Sequence, residues 1–137
     1  MTKPFEQLPD ANAVKIRAYG ETKEELFLHA MRGMFESIQA IVNEKKPKTT
    51  RLLVSEGANI EDLFKNFLSD CLYLSETNHE IYRDANFLEF SDTHLHISLV
   101  GSPVSETKGP KIKALENTKI HIKKEKKIMS ALFSLEI

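Results

Sequence analysis

Val14-Lys15-Ile16-Arg17-Ala18-Tyr19, closed by Gly20 and followed by Thr22-Lys23-Glu24-Glu25, is the stretch that decides the fold. Apolar and polar residues alternate up to the glycine, which is the period of a half-buried strand. At Thr22 the period changes. Thr22 and Glu25 have the spacing of a capping box, in which the threonine hydroxyl takes the N3 amide and the glutamate reaches back to the N-cap amide. Phe27, Ala30, Met31, Met34, Phe35, Ile38 and Ile41 then recur at helical spacing, one apolar stripe that must be buried. The charged run from Asn43 to Lys48, with Pro47, ends the helix.

The same alternation follows once more. Thr49 to Glu56, with Leu52, Leu53 and Val54, reads as a second strand. Asn59 is placed to cap the next helix, with Glu61 and Asp62 at the positive end of its dipole. That helix carries Ile60, Leu63, Phe64, Phe67, Cys71 and Leu74 on one stripe and stops near Ser75 to Asn78. From there the period is two. Ile81 to Phe90, His94 to Val100, Lys111 to Lys123 and Ile128 to Ile137 are candidate strands. Ser91-Asp92-Thr93 reads as a hairpin turn, and Gly101 to Pro110, with two glycines and two prolines, reads as a loop. The fold class expected is α+β: two layers, a mostly antiparallel sheet with two helices on one face.

A chain of 137 residues makes one domain, 1–137, large enough to bury a core without disulfides or metal. The single cysteine, Cys71, excludes an intrachain disulfide and fits a reducing, cytoplasmic compartment. No apolar run reaches the roughly 20 residues that span a bilayer, and Met1 to Glu6 lacks the apolar region of a signal peptide. A net charge of −1 hides an asymmetry. Asn59 to Asp92 holds eight acidic and two basic residues, whereas Lys108 to Lys127 holds eight lysines and two glutamates. Two docking surfaces of opposite sign, or simply two solvated faces, follow from such blocks.

Several stretches resemble the archease family. Phe5-Glu6-Gln7-Leu8 with Val14 to Gly20 is similar to that family's opening, Phe-Glu-x-Leu-x-His-Thr-Ala-Asp-Val-x-Ile-Arg-Ala-Tyr-Gly. The likeness continues in Thr22 to Phe27, in Arg32-Gly33-Met34-Phe35, in Leu68 to Glu76, and in Leu135-Glu136-Ile137, where archeases usually end Leu-Asp-Ile. The resemblance implies an accessory protein, not an enzyme. Its partner would be an RtcB-type RNA ligase, which joins a 3′-phosphate or cyclic-phosphate end to a 5′-hydroxyl with GTP and a divalent metal in tRNA splicing and RNA repair. The accessory protein would promote guanylylation and multiple turnover, touching RNA only indirectly through the ligase complex. It also implies a small site for calcium or another divalent cation, built from the motif aspartate, the penultimate aspartate and the terminal carboxylate.

At that site the chain departs from the pattern. Asp10-Ala11-Asn12-Ala13 stands where the family has His-Thr-Ala-Asp, so the position of the expected aspartate is held by Ala13. Glu136 replaces the penultimate aspartate. Ala114-Leu115-Glu116-Asn117-Thr118 stands where the family often has Ala-Val-Thr-Tyr-His. The candidate ligands that remain are Asp10, Glu136 and the carboxylate of Ile137, and Asp10 can serve only if residues 9–12 fold back. A degraded site with weak or absent metal is the expectation, because cation affinity follows the number of charged oxygens. The competing reading is an archease scaffold repurposed to bind another protein, with neither metal nor ligase role.

Other residues carry less. His94 and His96 share one face of a strand and fit solvent or packing better than a metal site, since no third ligand accompanies them. Cys71 lies on an apolar stripe and reads as a buried, inert thiol. Lys119, Lys123, Lys124, Lys126 and Lys127 crowd the last hairpin. They suit either RNA phosphate or a charged edge that discourages strand pairing, and no aromatic residue is interleaved among them.

Overall fold

The computed structural model describes residues 3–137, so Met1 and Thr2 of the opening stretch lie outside the described residues. Along the described residues, nine strands and two helices follow one another: β1 (Phe5–Leu8), β2 (Ala13–Gly20), α1 (Lys23–Ser37), β3 (Ala40–Val42), β4 (Thr49–Glu56), α2 (Ile60–Asn78), β5 (Glu80–Phe90), β6 (His94–Thr107), β7 (Ala114–Leu115), β8 (Ile122–Glu125) and β9 (Ile128–Glu136). Every pairing among them is antiparallel. The α+β class with two helices is what the chain adopts, with its strands divided between two sheets.

Each sheet has one spine. In sheet 1, β9 pairs with β2 along one edge and with β8 and β7 along the other, and β1 continues outward from β2. In sheet 2, β6 lies between β4 and β5, and its far end also pairs with β3. The two helices contact strands of both sheets. Phe27 of α1 joins them. Its ring lies 5.2 Å from Phe64 and 5.6 Å from Phe67 on α2, and 5.0 Å from Phe90 on β5. Phe64 then reaches Phe133 of β9 at 5.8 Å. Aromatic pairs of this kind add about 0.5–1.5 kcal/mol beyond the area they bury.

The helix starts are as the sequence predicts. Thr22 accepts from the Glu25 amide at 3.1 Å and Asn59 from the Asp62 amide at 2.9 Å. The Glu25 carboxylate reaches back one residue further than expected, accepting from the Glu21 amide. The first stripe, however, is shorter. The α1 helix ends at Ser37, Gln39 is left-handed (φ 49°), and Ile41 is a 37% exposed residue of β3 rather than part of the stripe. Gly33 lets β1 and β2 approach α1, since a Cβ there would stand 3.0 Å from Ile16 and 3.1 Å from the Phe5 ring.

Two further expectations are corrected. The supposed loop after Val100 is strand through Thr107. Gly101 is there for space, because a Cβ would meet the Thr49 hydroxyl and the Glu80 carboxylate. Glu80 is buried and accepts from Arg51 Nε at 2.6 Å and from the Tyr82 hydroxyl at 3.1 Å, with Thr49 as a third donor. The stretch Lys111 to Lys123 is not one strand. It gives β7, an irregular crossing that buries Ile120, and then β8, because only its two ends find the free edge of β9.

Phe35 and Phe67 are fully buried in this core. Phe35→Ala and Phe67→Ala should each cost about 3–5 kcal/mol, read from denaturant midpoints. Losses under about 1 kcal/mol at both positions would contradict the helix faces described.

Candidate functional site

The register of sheet 1 sets the geometry of the candidate site. Ala13 of β2 and Ala114 of β7 both stand opposite Glu136 of β9. Residues directly opposite point to one face. Val14, Ile16 and Ala18 face the core, as do Leu135, Phe133 and Ala131, so Ala13, Glu136 and Ala114 belong to the outer face. The exposed Glu136 carboxylate therefore has a methyl group on each side in its cross-strand row. Ile137 is exposed beyond the end of β9.

Asp10 does fold back. Its Oδ1 accepts from the Asn12 amide at 2.8 Å and from the Ala13 amide at 3.1 Å. Its Oδ2 lies 3.2 Å from Lys15 Nζ, one step along the outer face from Ala13. The turn at residues 10–12 thus brings a carboxylate to the position whose own side chain is only a methyl. The Asn12 amide, then the Lys15 ammonium, hold this carboxyl below the usual carboxylate range. Both oxygens are therefore engaged by N–H groups of the chain itself.

A hard divalent cation asks for more. Calcium takes about 6–8 oxygens, and its affinity rises with the carboxylates among them. Here one carboxylate is paired with an ammonium, and the other has alanine as both cross-strand neighbours. Among the described residues, no group of three or more His, Cys, Asp or Glu is disposed around a common point.

The remaining sequence candidates are structural. Leu95, Ile97 and Leu99 are buried, which turns His94 and His96 outward. His94 sits between Glu56 at 3.7 Å and Glu89 at 3.4 Å on the neighbouring strands. Cys71 is buried, and desolvation pushes its thiol well above the ordinary range, so it is no nucleophile. Lys119, Lys123 and Lys126 line a groove on the outer face of sheet 1, with Tyr19 among them. The sequence could not show that neighbour, because Tyr19 comes from β2, about a hundred residues earlier.

The model of the archease protein family matches residues 5–137. The chain belongs to the archease family. Protein archease of Thermoplasma volcanium is 29% identical over 133 residues, covering 96% of this chain and 98% of that protein. Protein archease of Methanosarcina barkeri is 33% identical over 84 residues; the match spans 60% of this chain and only 56% of that protein's length. Two solved structures share the fold. One is a solution structure of a Methanobacterium thermoautotrophicum protein, with a TM-score of 0.70 at 21% identity over 99% of this chain and all of that one. The other is a crystal structure of an archease, described as a possible chaperone, from Thermotoga maritima, with a TM-score of 0.70 at 14% identity over 100% of this chain and 98% of that one. Among the described residues of this archease, no helix is long and apolar enough to cross a membrane.

The Asp10–Lys15 pair makes a pH prediction. A carboxyl depressed by folding adds stability above its unfolded pKa, and that stability is lost as pH falls through the folded value. Asp10 should therefore titrate below 3.8 in an NMR pH series. Lys15→Met should move the midpoint upward. An unchanged midpoint would assign the whole effect to the two amides.

Proposed function

We propose that this archease is an accessory protein of an RtcB-type RNA ligase, promoting guanylylation and multiple turnover in tRNA splicing or RNA repair, with no active site of its own. The observation that carries the proposal is the family match over residues 5–137, which includes the whole β1–β2–β9 edge of sheet 1. The Thermotoga maritima relative's description as a possible chaperone points the same way, to a protein that acts by binding another. The cytoplasm is the compartment this role requires.

A second reading rests on one specific observation. Ala13 leaves Glu136 without a facing carboxylate, and Lys15 pairs with Asp10. Divalent cations then bind weakly or not at all, and the scaffold would serve a different protein partner. A multiple-turnover ligation assay with the cognate ligase, with and without this protein, separates the two. Increased turnover supports the accessory role, and unchanged turnover favours the repurposed scaffold.

Metal dependence has its own test. A site with a Kd near ~10 µM adds about 2.7 kcal/mol at ~1 mM metal. Thermal melts in calcium or magnesium against chelator should show only a small fraction of that. Ala13→Asp should restore a metal response, because it sets a second carboxylate beside Glu136. In chelator the same change should be neutral or destabilising, since it adds like charge. A strong response from the unaltered protein would refute the loss of metal binding.

A further inference from the structure

A groove of about 720 Å³ opens on the outer face of sheet 1. The irregular crossing and β8 build its basic wall. Ile120 is buried and Ile122 packs on the core, which leaves Lys119, His121 and Lys123 in the groove. Lys119 and His121 come from the irregular crossing and Lys123 from β8, so the cations are drawn from separate points along the chain rather than from one turn. Lys126 extends the wall from the β8–β9 turn, where its φ of 57° is left-handed. Arg17, on β2, adds a cation that is already paired with Glu6 at 3.9 Å, and Glu125 is the one acid in the lining.

The three lysines are not spent within the fold. Among the described residues, Lys119, Lys123 and Lys126 enter no ion pair. A concave wall of unpaired like charges repels itself and concentrates counter-ions. The floor is different. Tyr19, Ser130 and Lys123 form one cross-strand row, so an aromatic ring lies two places from a lysine. The Tyr19 hydroxyl donates to Glu6 Oε1 at 2.6 Å, which holds the ring. Leu132, 40% exposed, stands opposite Arg17 in the next row on that face.

Spaced cations along a groove with a fixed aromatic ring are the parts that hold a single nucleic-acid strand. The cations follow the phosphates and the ring accepts a base. An acidic peptide would use the lysines but leave the ring without a flat partner. We propose that this groove binds single-stranded nucleic acid directly, through its phosphates, with Tyr19 as the stacking surface. Direct contact of this kind requires no ligase.

Fluorescence anisotropy with the intact protein and a labelled uridine or thymidine oligonucleotide of about 12 nucleotides tests it. Affinity should fall with salt with a log–log slope of about −2 to −3, the value for three or four phosphates on a single strand. Lys119→Glu, Lys123→Glu and Lys126→Glu together should weaken binding more than tenfold at an unchanged melting temperature. Lys45→Glu, Lys46→Glu and Lys48→Glu, on the exposed β3–β4 connection, should leave it within about twofold. Tyr19→Phe should bind better than Tyr19→Leu if the ring stacks. The RNA and DNA arms tell which strand is preferred. No binding at low salt, equal losses in the two lysine triples, or equal competition by a polyglutamate peptide would each overturn the proposal. Ligase is absent throughout, so failure here is separate from failure of the turnover assay.

Discussion

The contact on which the rest depends is the ring of Phe27. It touches both phenylalanines of α2 and one of β5, and through Phe64 the chain of rings reaches β9. The two helices therefore share one aromatic core with the strands they cover. Each helix contacts strands of both sheets, so each helps to bury the apolar face of both. This explains why the buried surface of α1 is wider than one stripe: Leu26, Phe27, Ala30, Met31, Gly33, Met34 and Phe35 are all buried. A helix with one neighbour needs an apolar face of about 100°, whereas one with several needs more.

From that core outward, the site is decided by register. The apolar partners Val14↔Leu135 and Ile16↔Phe133 fix β2 against β9, because a slip of one residue would turn both strands inside out. The same register then places Ala13 opposite Glu136 and Lys15 beside it, whatever chemistry those residues offer. Core packing and the chemistry of the outer face are thus held by different residues of the same two strands. The inner residues can remain while the outer ones change.

Elements with a local signal were legible in the sequence. Thr22 and Asn59 announce both helices because their caps are built from residues three apart. The alternation of Val14 to Gly20 and of His94 to Val100 shows directly which side chains are inside. What failed depends on distant partners. Gly101 and Pro103 look like a loop until Glu80 and Thr49 are seen to fill the space a side chain would need. Ile41 fits the helical period but lies beyond a left-handed turn. Of the site, the alanine at position 13, facing Glu136, was readable as far as its identity. The amide and ammonium bonds of Asp10 were not, since they require the turn at residues 10–12. The company of Tyr19 with Lys123 was equally hidden, because β2 and β8 meet only across β9.

The position of β9 has a consequence for the order of events in biosynthesis. It is the last strand, yet it is the spine of sheet 1, with β2 on one edge and β8 and β7 on the other. A ribosome delivers β1, β2 and α1 first, and they have no sheet to join. Sheet 2 can close once β6 has emerged, covering one side of the helices. The opposite side, with Phe64 awaiting Phe133, stays open to water until β9 arrives. Long-range closure of this kind is slow and exposes apolar surface meanwhile. The nascent chain therefore stays half-covered until β9, a nine-residue strand, has emerged to join β2, β7 and β8.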